Sequence, residues 1–520
     1  MQPPSSSSRP GKFRFWLALG FVVFLLIAAA ASTGPGITWD EPSYAAAGYS
    51  YYRWLAELSF RSFDRATIDR YWAVNHEHPP AAKLVYGPAG ALEREHGLLT
   101  FLTARLLAVG MFVGLVGLVY AFVAGHFGRR AGVLAALSLV LMPRVFGHGC
   151  LAALDVPVAL ACFATTVVFA RAHLGRWRAA AAGVLWGVAL LTKINAVFLP
   201  LVLIPWALWR HGRRAVVPCV MLLVLGCATF VAGWPWLWHD TSSRICGYAV
   251  GMARRAQEGE HSKGTTDVPV HYLGRTYRAR RAPWHYPFVM TLVTVPVALL
   301  VFAVIGARRS LAGGETRGIA VLVAASGLLH ILVLAAPAVP KYDGVRLFMP
   351  AFPFIACLAG VGAARVWGWR GMAGKAVVAA ALAASALVLI CTHPYELSYY
   401  NGLVGGAWGA RKLGFETTYW GDTVTPEVMA YVNRHCPDGS TVAIWPRHHA
   451  FLDSLPWMKK ELEFRRDWEA GTPPADFLIL FPRQSYLDEF TTGLLRNREP
   501  VRQWTYLGVP QCMLFDLRRQ

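Results

Sequence analysis

Two adjacent carboxylates, Asp40 and Glu41, follow a long apolar run in the stretch GITWDEPSYAAAGY. A charged side chain beside lipid is energetically costly, so such residues tend to be functional. Glu41 followed by Pro42 also fits the start of a helix, where a capping acid and a first-turn proline are both favoured. The pair therefore has two interpretations, a helix start or a site of proton transfer, since a carboxylate can accept a proton.

Further ionisable residues lie next to apolar runs, where a membrane topology can bring them to one face. They are His76, Glu77, His78 and Lys83 in NHEHPPAAKL, Asp155 in LAALDVP, Lys193 in LLTKIN, and Lys341, Asp343 and Arg346 in PKYDGVRLFMP. Lysine and arginine can hold a phosphate, arginine through two parallel hydrogen bonds. Carboxylates beside such cations at the lipid–water boundary suit a substrate with an apolar tail and a phosphate.

The same residues have structural alternatives. Asp155, two residues before Pro157, can cap the helix that begins there. Lys193 can extend its ammonium group towards the water interface. The charges of PKYDGVRLFMP can anchor a helix end through an internal ion pair.

A divalent metal on His76, Glu77 and His78 is one further hypothesis. The spacing HEHPP differs from the helical zinc motif HExxH, in which two histidines lie one turn apart. Hydrogen bonds within a loop are the alternative for these histidines.

The elements that must position these residues are apolar. The chain has 520 residues, of which 55% are hydrophobic and 15% charged, with a mean hydropathy of +0.39. A soluble protein carries about 25% charged residues. Apolar runs of roughly 20 residues predict a polytopic α-helical membrane protein. We predict about eleven spans, at 15–33, 101–124, 131–147, 151–172, 179–192, 195–209, 215–233, 284–307, 318–338, 345–364 and 374–391.

The loop charges predict the orientation of these spans. With a cytoplasmic tail at 1–14, the cytoplasmic segments hold 17 Lys and Arg but a single acid, Glu315. An excess of cations in cytoplasmic loops is the usual topology signal. The net charge of +20 therefore reflects topology and does not indicate a nucleic-acid partner. The membrane domain is then 15–391, and its long loops 34–100 and 234–283 are external.

The last part of the chain, 392–520, is more polar and is predicted to be a small external α/β domain. A helix-like run spans 425–436, and STVAIW, DFLILF and QCMLFDL are typical of strands. Cys436 and Cys512 are the two cysteines of this part, and we predict a disulfide between them, with two buried free thiols as the alternative. In the first external loop, the aromatic residues of 43–57 predict an amphipathic helix at the membrane interface.

Several stretches together resemble the GT-C membrane glycosyltransferases. They are WDEP, HEHPPAAK, LDVPVALACF, GVALLTKINAVFLPLVLI, WPWLWHD and RLFMPAFPF, spread from residue 15 to about 365. The chain looks most like bacterial relatives of the protein O-mannosyltransferases and like the aminoarabinose transferases of lipid A. This resemblance implies an inverting transfer of sugar from a polyprenyl-phosphate donor. The acceptor would be a protein, lipid or glycan outside the cytoplasm.

The resemblance also implies residue roles. Asp40 matches the catalytic aspartate, the general base, while Glu41 and Asp155 are assigned supporting acid roles. The donor phosphate is assigned to four cations of this chain, which are Lys83 of HPPxxK, Lys193, Arg346 and Lys341. Glu77 stands where aminoarabinose transferases carry a metal-binding glutamate, but His78 replaces the lysine that follows it there.

Two other functions remain open at this point. A transporter of lipid-linked sugars or anions would place its charges near the bilayer midplane and show repeated halves, and this chain shows neither pattern. A non-catalytic lipid-binding subunit would keep the fold without the chemistry. The expected location is the bacterial inner membrane.

Overall fold

A computed structural model describes residues 25–31, 34–96, 100–255, 268–337, 339–369, 371–446, 458–465 and 475–518. Helices dominate the chain up to residue 392. They are α1 (Glu41–Ala56), α2 (Arg65–Trp72), α3 (Ala81–His96), α4 (Thr100–Phe127), α5 (Arg129–Val140), α6 (Pro143–Gly149), α7 (Asp155–Phe169), α8 (Arg176–Thr192), α9 (Pro200–His211), α10 (Val216–Ala232), α11 (Thr241–Arg255), α12 (Tyr286–Thr294), α13 (Val297–Leu311), α14 (Arg317–Ala335), α15 (Phe352–Trp367) and α16 (Ala373–Thr392). A hairpin of β1 (Pro269–Tyr272) and β2 (Arg275–Arg278) lies between α11 and α12.

Five helical runs in the described ranges are long and apolar enough to cross a membrane. They are Leu102–Phe127, Ile194–Ala232, Arg317–Ala335, Arg346–Trp367 and Ala373–Thr392. Two bent helix pairs raise the number to seven if each pair is one span. These helices support a membrane protein, while the number eleven remains a prediction. Most of the predicted span 15–33 lies outside the described residues.

Two predicted spans, 131–147 and 284–307, are bent rather than straight. The α5–α6 pair bends by 76° and the α12–α13 pair by 113°. The bends fall at Met142 and Val295, which are extended and directly precede Pro143 and Pro296. The proline ring disfavours helical backbone at the residue before it, which explains both breaks.

Close packing fixes α15, the helix that follows Arg346. Gly306 of α13 and Gly362 of α15 face each other, and a Cβ atom at either would meet backbone of the opposite helix. Small residues allow two helix backbones this close approach. The 3-10 turn Arg346–Ala351 leads directly into α15, so the packing of α15 also fixes the position of the turn.

The stretch predicted to be an interfacial helix forms α1, but three of its aromatic residues are buried. Tyr44, Tyr51 and Trp54 all lie in the interior, and the Tyr51 ring stacks on Trp72 with 4.5 Å between centroids. The prediction that these aromatic residues face the lipid headgroups is therefore wrong. They pack against residues of α2 and α3, which hold α1 in place.

The C-terminal part has a mixed five-stranded sheet in the order β4-β3-β5-β7-β6. Its elements are α17 (Gly406–Lys412), α18 (Pro426–His435), β3 (Thr441–Trp445), β4 (Glu463–Phe464), β5 (Phe477–Leu480), α19 (Glu489–Asn497), β6 (Arg502–Tyr506) and β7 (Val509–Asp516). β3 pairs in parallel with β4 and β5, whereas β7 pairs antiparallel with β5 and β6. The predicted helix and the three predicted strands are confirmed.

This C-terminal part shares a hydrophobic core with the loop before α1. Ile37 and Trp39 pack in one cluster with Trp420 and with residues of the sheet. The backbone N–H groups of Gly36 and Trp39 donate to the carbonyls of Asp422 and Trp420, at 2.6 and 3.1 Å. The loop that carries Asp40 is therefore built partly by residues from the far end of the chain.

Cys436 and Cys512 belong to the same core as free, buried thiols. The predicted disulfide is therefore wrong. A buried thiol behaves as a small apolar group, which is the role both residues have here.

Candidate functional site

Asp40 lies directly before α1 and forms an ion pair with Arg346, 306 residues away in the sequence. Its Oδ2 accepts a hydrogen bond from Arg346 Nη2 at 2.6 Å and one from the Tyr44 hydroxyl at 3.2 Å. The Asp40 side chain is 26% exposed, whereas that of Arg346 is 8% exposed. Both hydrogen bonds are to Oδ2, so Oδ1 of Asp40 can accept a hydrogen bond from a bound molecule.

Arg346 lies among three carboxylates. In addition to Asp40, its Nη1 donates to Asp343 Oδ2 at 2.9 Å, and its Nε lies 3.7 Å from Asp155 Oδ2. The guanidinium lies 3.9 Å from the centroid of the Trp420 ring, a cation–π contact. Arg346 thus joins three segments of the membrane part to the C-terminal part.

Asp155 is the first residue of α7 and binds a second cation. Lys193 Nζ donates to Asp155 Oδ1 at 2.6 Å, and His148 Nδ1 lies 3.9 Å from Oδ2. The N-cap of α7 is Leu154, and Asp155 is the first helical residue, so the capping interpretation is wrong. A carboxylate in the first turn is nevertheless favoured by the helix dipole. Asp155 holds Lys193 next to Arg346.

Glu41 has a different environment from its neighbour Asp40. It is fully buried, and its two oxygens accept from Arg105 Nε and Nη2, both at 2.8 Å. They also accept from the backbone N–H groups of Thr38 and Ala152 at 2.9 Å. Burial alone would raise the pKa of Glu41, but Arg105 and these hydrogen bonds outweigh it, so the net shift is downward. Glu41 therefore joins the loop before α1 to α4 and to the backbone at Ala152.

Replacing Glu41 by glutamine should destabilise the fold strongly, because it leaves the buried Arg105 without its counter-charge. We expect a loss of about 3–5 kcal/mol in the free energy of unfolding, measured by thermal or denaturant unfolding. Glu57→Gln is the matched control, because the Glu57–Arg53 pair is about half exposed and solvent-exposed ion pairs contribute little to stability. Equal losses in the two variants would contradict this structural role.

Lys83 and Lys341 are buried and bind oxygen atoms of nearby loops. Lys83 Nζ donates to the carbonyls of Asn75 and His78 at 2.7 and 2.6 Å, with the Asn75 side chain and the Tyr51 hydroxyl also in reach. Lys341 Nζ donates to the carbonyls of Ala336 and Val339. An ammonium group has three donors, and each lysine uses two of them on backbone carbonyls. Both lysines hold loop residues in this structure, and their assignment to the donor phosphate stays a prediction.

The three residues of the metal hypothesis face different surroundings. His76 Nδ1 contacts the Ala73 carbonyl at 2.7 Å, and its ring stacks on Trp236. The His78 ring instead lies edge-on to Tyr44, at 5.9 Å. Among the described residues, no three His, Cys, Asp or Glu side chains lie close enough to hold a metal ion. The predicted metal set is therefore not assembled.

His78 lies close enough to Asp40, Lys193 and Arg346 for their charges to act on its ring. Burial and the nearby cations Lys83, Lys193 and Arg346 lower the pKa of His78 to about 3, so its ring is neutral at physiological pH. On the other side of the loop, Glu77 lines a cavity of about 350 Å³ with His76, Trp236, Arg244 and Tyr248.

The segment 415–425 of the C-terminal part closes the site, and sequence analysis missed it. Residues 417–425 are all buried, although the run TTYWGDTVT is largely polar. Trp420 covers Arg346, and the Tyr419 hydroxyl lies 3.5 Å from Arg144 Nη2. A dense mixture of aromatic, threonine and acidic residues in one run was the available signal.

Asp422 in this segment is buried, and neither carboxylate oxygen has a hydrogen-bond partner among the described residues. Burial, with a smaller contribution from Glu396, raises the pKa of Asp422 to about 7. The unfolded value is about 3.9, so the folded state binds this proton more tightly. The free energy of unfolding should therefore fall as the pH rises from about 4 to about 7.

Asp422→Asn should remove this component of the pH dependence and stabilise the protein above pH 7. Melting temperatures recorded from pH 4 to pH 8 measure the effect, with the exposed Asp438→Asn as control. A pH profile of Asp422→Asn parallel to that of the wild type would contradict the prediction.

Comparisons with known proteins support the resemblance found in the sequence. The family model of dolichyl-phosphate-mannose-protein mannosyltransferases matches residues 78–239. ArnT from Cupriavidus metallidurans in the apo state is similar in fold, with 13% identity, 97% of this chain and 98% of that chain covered, and a TM-score of 0.55. ArnT bound to undecaprenyl phosphate gives 13% identity, 96% and 97% coverage, and a TM-score of 0.52.

The archaeal oligosaccharyltransferase AglB from Archaeoglobus fulgidus has a weaker likeness, with 12% identity, 90% and 70% coverage, and a TM-score of 0.48. No curated protein matches the sequence. The likeness to GT-C glycosyltransferases is confirmed, and the chain has the ArnT fold over nearly its whole length.

Proposed function

We propose that this protein is an inverting glycosyltransferase. It moves a sugar from a polyprenyl-phosphate donor to an acceptor on the outer face of the membrane. The observation that carries the proposal is the pair of Asp40, a partly exposed carboxylate, and Arg346, a nearly buried cation, at 2.6 Å. A base for the acceptor and a cation for the leaving phosphate are the two groups that this reaction needs.

Asp40 acts as the general base in this proposal. Its Oδ1 takes the proton of the acceptor hydroxyl while that oxygen forms a bond to the anomeric carbon of the sugar. The bond from the anomeric carbon to the lipid phosphate breaks on the opposite side, which inverts the configuration. A positioned base contributes about 10²–10⁴-fold in rate.

Arg346 and Lys193 stabilise the leaving phosphate. The departing group gains negative charge, and fixed donors in a partly dry site stabilise it by roughly 3–4 kcal/mol each. Asp155 contacts both cations and keeps them together before the donor arrives. The guanidinium also suits a phosphate because it can donate two parallel hydrogen bonds.

The same proposal includes the topology. The membrane domain 15–391 lies in the bacterial inner membrane, with the tail 1–14 in the cytoplasm. The domain 392–520 is external, next to the site that it covers. Its support is the positive-inside pattern of the loops and the fold shared with ArnT, of which one structure holds undecaprenyl phosphate.

The test is an assay of purified protein in nanodiscs with undecaprenyl-phosphate-linked mannose, glucose and aminoarabinose. Release of undecaprenyl phosphate and inverted product configuration are the expected results. Parallel samples with EDTA measure any need for a divalent metal. Movement of intact donor across proteoliposomes without cleavage would instead favour a transporter, and binding without either event would favour a lipid-binding subunit.

A further inference from the structure

Asp343 binds two arginines, one on each carboxylate oxygen. Its Oδ2 accepts from Arg346 Nη1 at 2.9 Å, and its Oδ1 accepts from Arg483 Nη2 at 2.8 Å. Arg483 follows β5 in the C-terminal part and is fully buried. An unbroken chain of ion pairs therefore runs from the C-terminal part through Asp343 and Arg346 to Asp40.

Arg483 is itself held on several sides. Its Nη1 donates to the Tyr419 carbonyl at 2.6 Å, and its Nε lies 3.4 Å from Glu416 Oε1. The guanidinium also lies 4.8 Å from the centroid of the Tyr486 ring. A planar guanidinium with its donors fixed in this way presents Nη2 to Asp343 in one orientation.

The backbone conformation at Asp343 shows why this residue needs a partner from another part of the chain. Asp343 has φ +53° and Gly344 has φ +65°, both in the left-handed region. A residue other than glycine is uncommon there and persists where its surroundings hold it. The Gly344 N–H donates to the Tyr286 hydroxyl at 3.1 Å, and Arg483 holds the side chain of Asp343.

We propose that Arg483 is a positioning residue for the transfer reaction, acting through Asp343 on Arg346. This inference rests on the proposed function. The ion pairs that Arg483 makes within the described ranges are with Asp343 and Glu416, so its effect on Asp40 is indirect. Without Arg483, the carboxylate of Asp343 would have Arg346 as its remaining ion-pair partner in the described structure. Arg346 would then be drawn towards both oxygens of Asp343 and away from Asp40.

The experiment measures kcat, KM for the undecaprenyl-phosphate sugar that the panel assay identifies, and melting temperature. Arg483→Gln should lower kcat by about 100-fold, as expected for a small misplacement of a catalytic group, with a smaller change in KM. Arg483→Lys keeps the charge next to Asp343 and should recover part of the loss. Arg518→Gln is the control, because the Arg518–Asp516 pair lies in the same domain and Arg518 is exposed.

Wild-type kcat in a folded Arg483→Gln variant would overturn the inference, as would equal losses in Arg483→Gln and Arg483→Lys. If Arg483→Gln does not fold, Asp343→Asn replaces it, since it keeps the shape and removes the bridging charge. Wild-type kcat in Asp343→Asn would then overturn the inference. Absence of transfer by the wild-type protein is a different result, because it refutes the proposed function and this inference together.

Discussion

Asp40→Asn should reduce sugar transfer to background while leaving the fold and the binding of undecaprenyl phosphate nearly unchanged. Asparagine preserves the size of the side chain and can still accept from Arg346 and Tyr44. It cannot take the proton of an acceptor hydroxyl, so the loss should be about 10²–10⁴-fold in kcat. Single-turnover release of undecaprenyl phosphate measures the rate, and fluorescence titration measures binding.

Asp64→Asn is the matched control for this variant, because Asp64 lies before α2 and is exposed. It should retain the wild-type rate. A wild-type rate in Asp40→Asn would show that Asp40 is not the base. Loss of undecaprenyl-phosphate binding in Asp40→Asn would point instead to a structural role for the Asp40–Arg346 pair.

Arg346→Gln should cause the second large loss, in donor use rather than in proton transfer. Arg346 is nearly buried, contacts three carboxylates and is the cation closest to Asp40 in the described structure. Removing such a charge costs about 2–5 kcal/mol, or roughly 30- to 5,000-fold in kcat/KM. Arg346→Lys should recover little, because an ammonium group cannot replace the flat guanidinium among these partners.

The control is Arg365→Gln, since Arg365 is exposed on α15, the helix that follows Arg346. Its kcat/KM should match the wild type. The measurement is kcat/KM over a range of donor concentrations, with melting temperature followed in parallel. If Arg346→Gln lowers the melting temperature and the smaller folded fraction accounts for the whole loss of kcat/KM, the result would argue against a phosphate-binding role.

Many of the regular elements and part of the candidate site could be predicted from the sequence. Apolar runs predict most long helices, and alternating patterns predict the strands of the C-terminal sheet. The convergence of Asp40, Asp155, Lys193 and Arg346 also follows from the sequence, because it depends only on which span ends share a face. The helix breaks before Pro143 and Pro296 follow from the restriction that proline places on the preceding residue. They were not predicted because both prolines lie inside apolar runs that suggest continuous spans.

The partners of individual charges could not be predicted in this way. Lys83 has a long flexible side chain, and its hydrogen-bond partners are carbonyls of the loop 75–78. No sequence pattern identifies these carbonyls as its partners. Arg105 lies next to an apolar run, so its pairing with Glu41 requires knowledge of how α4 packs. Arg483 and Trp420 reach the site through docking of two distant parts of the chain, which local patterns do not encode.

The hydrogen bonds from Gly36 and Trp39 to Asp422 and Trp420 also set an order of events during synthesis. About 380 residues separate the two partners of this contact, and a ribosome adds about 5–20 residues per second. The segment that carries Asp40 therefore emerges roughly 20 to 80 s before the segment that completes its surroundings. A nascent or truncated chain would hold Asp40 without Trp420 or Arg483 beside Arg346. Under the proposed function, activity would then begin only after synthesis has passed Arg483, so a shorter copy would lack the ion pair that holds Asp343.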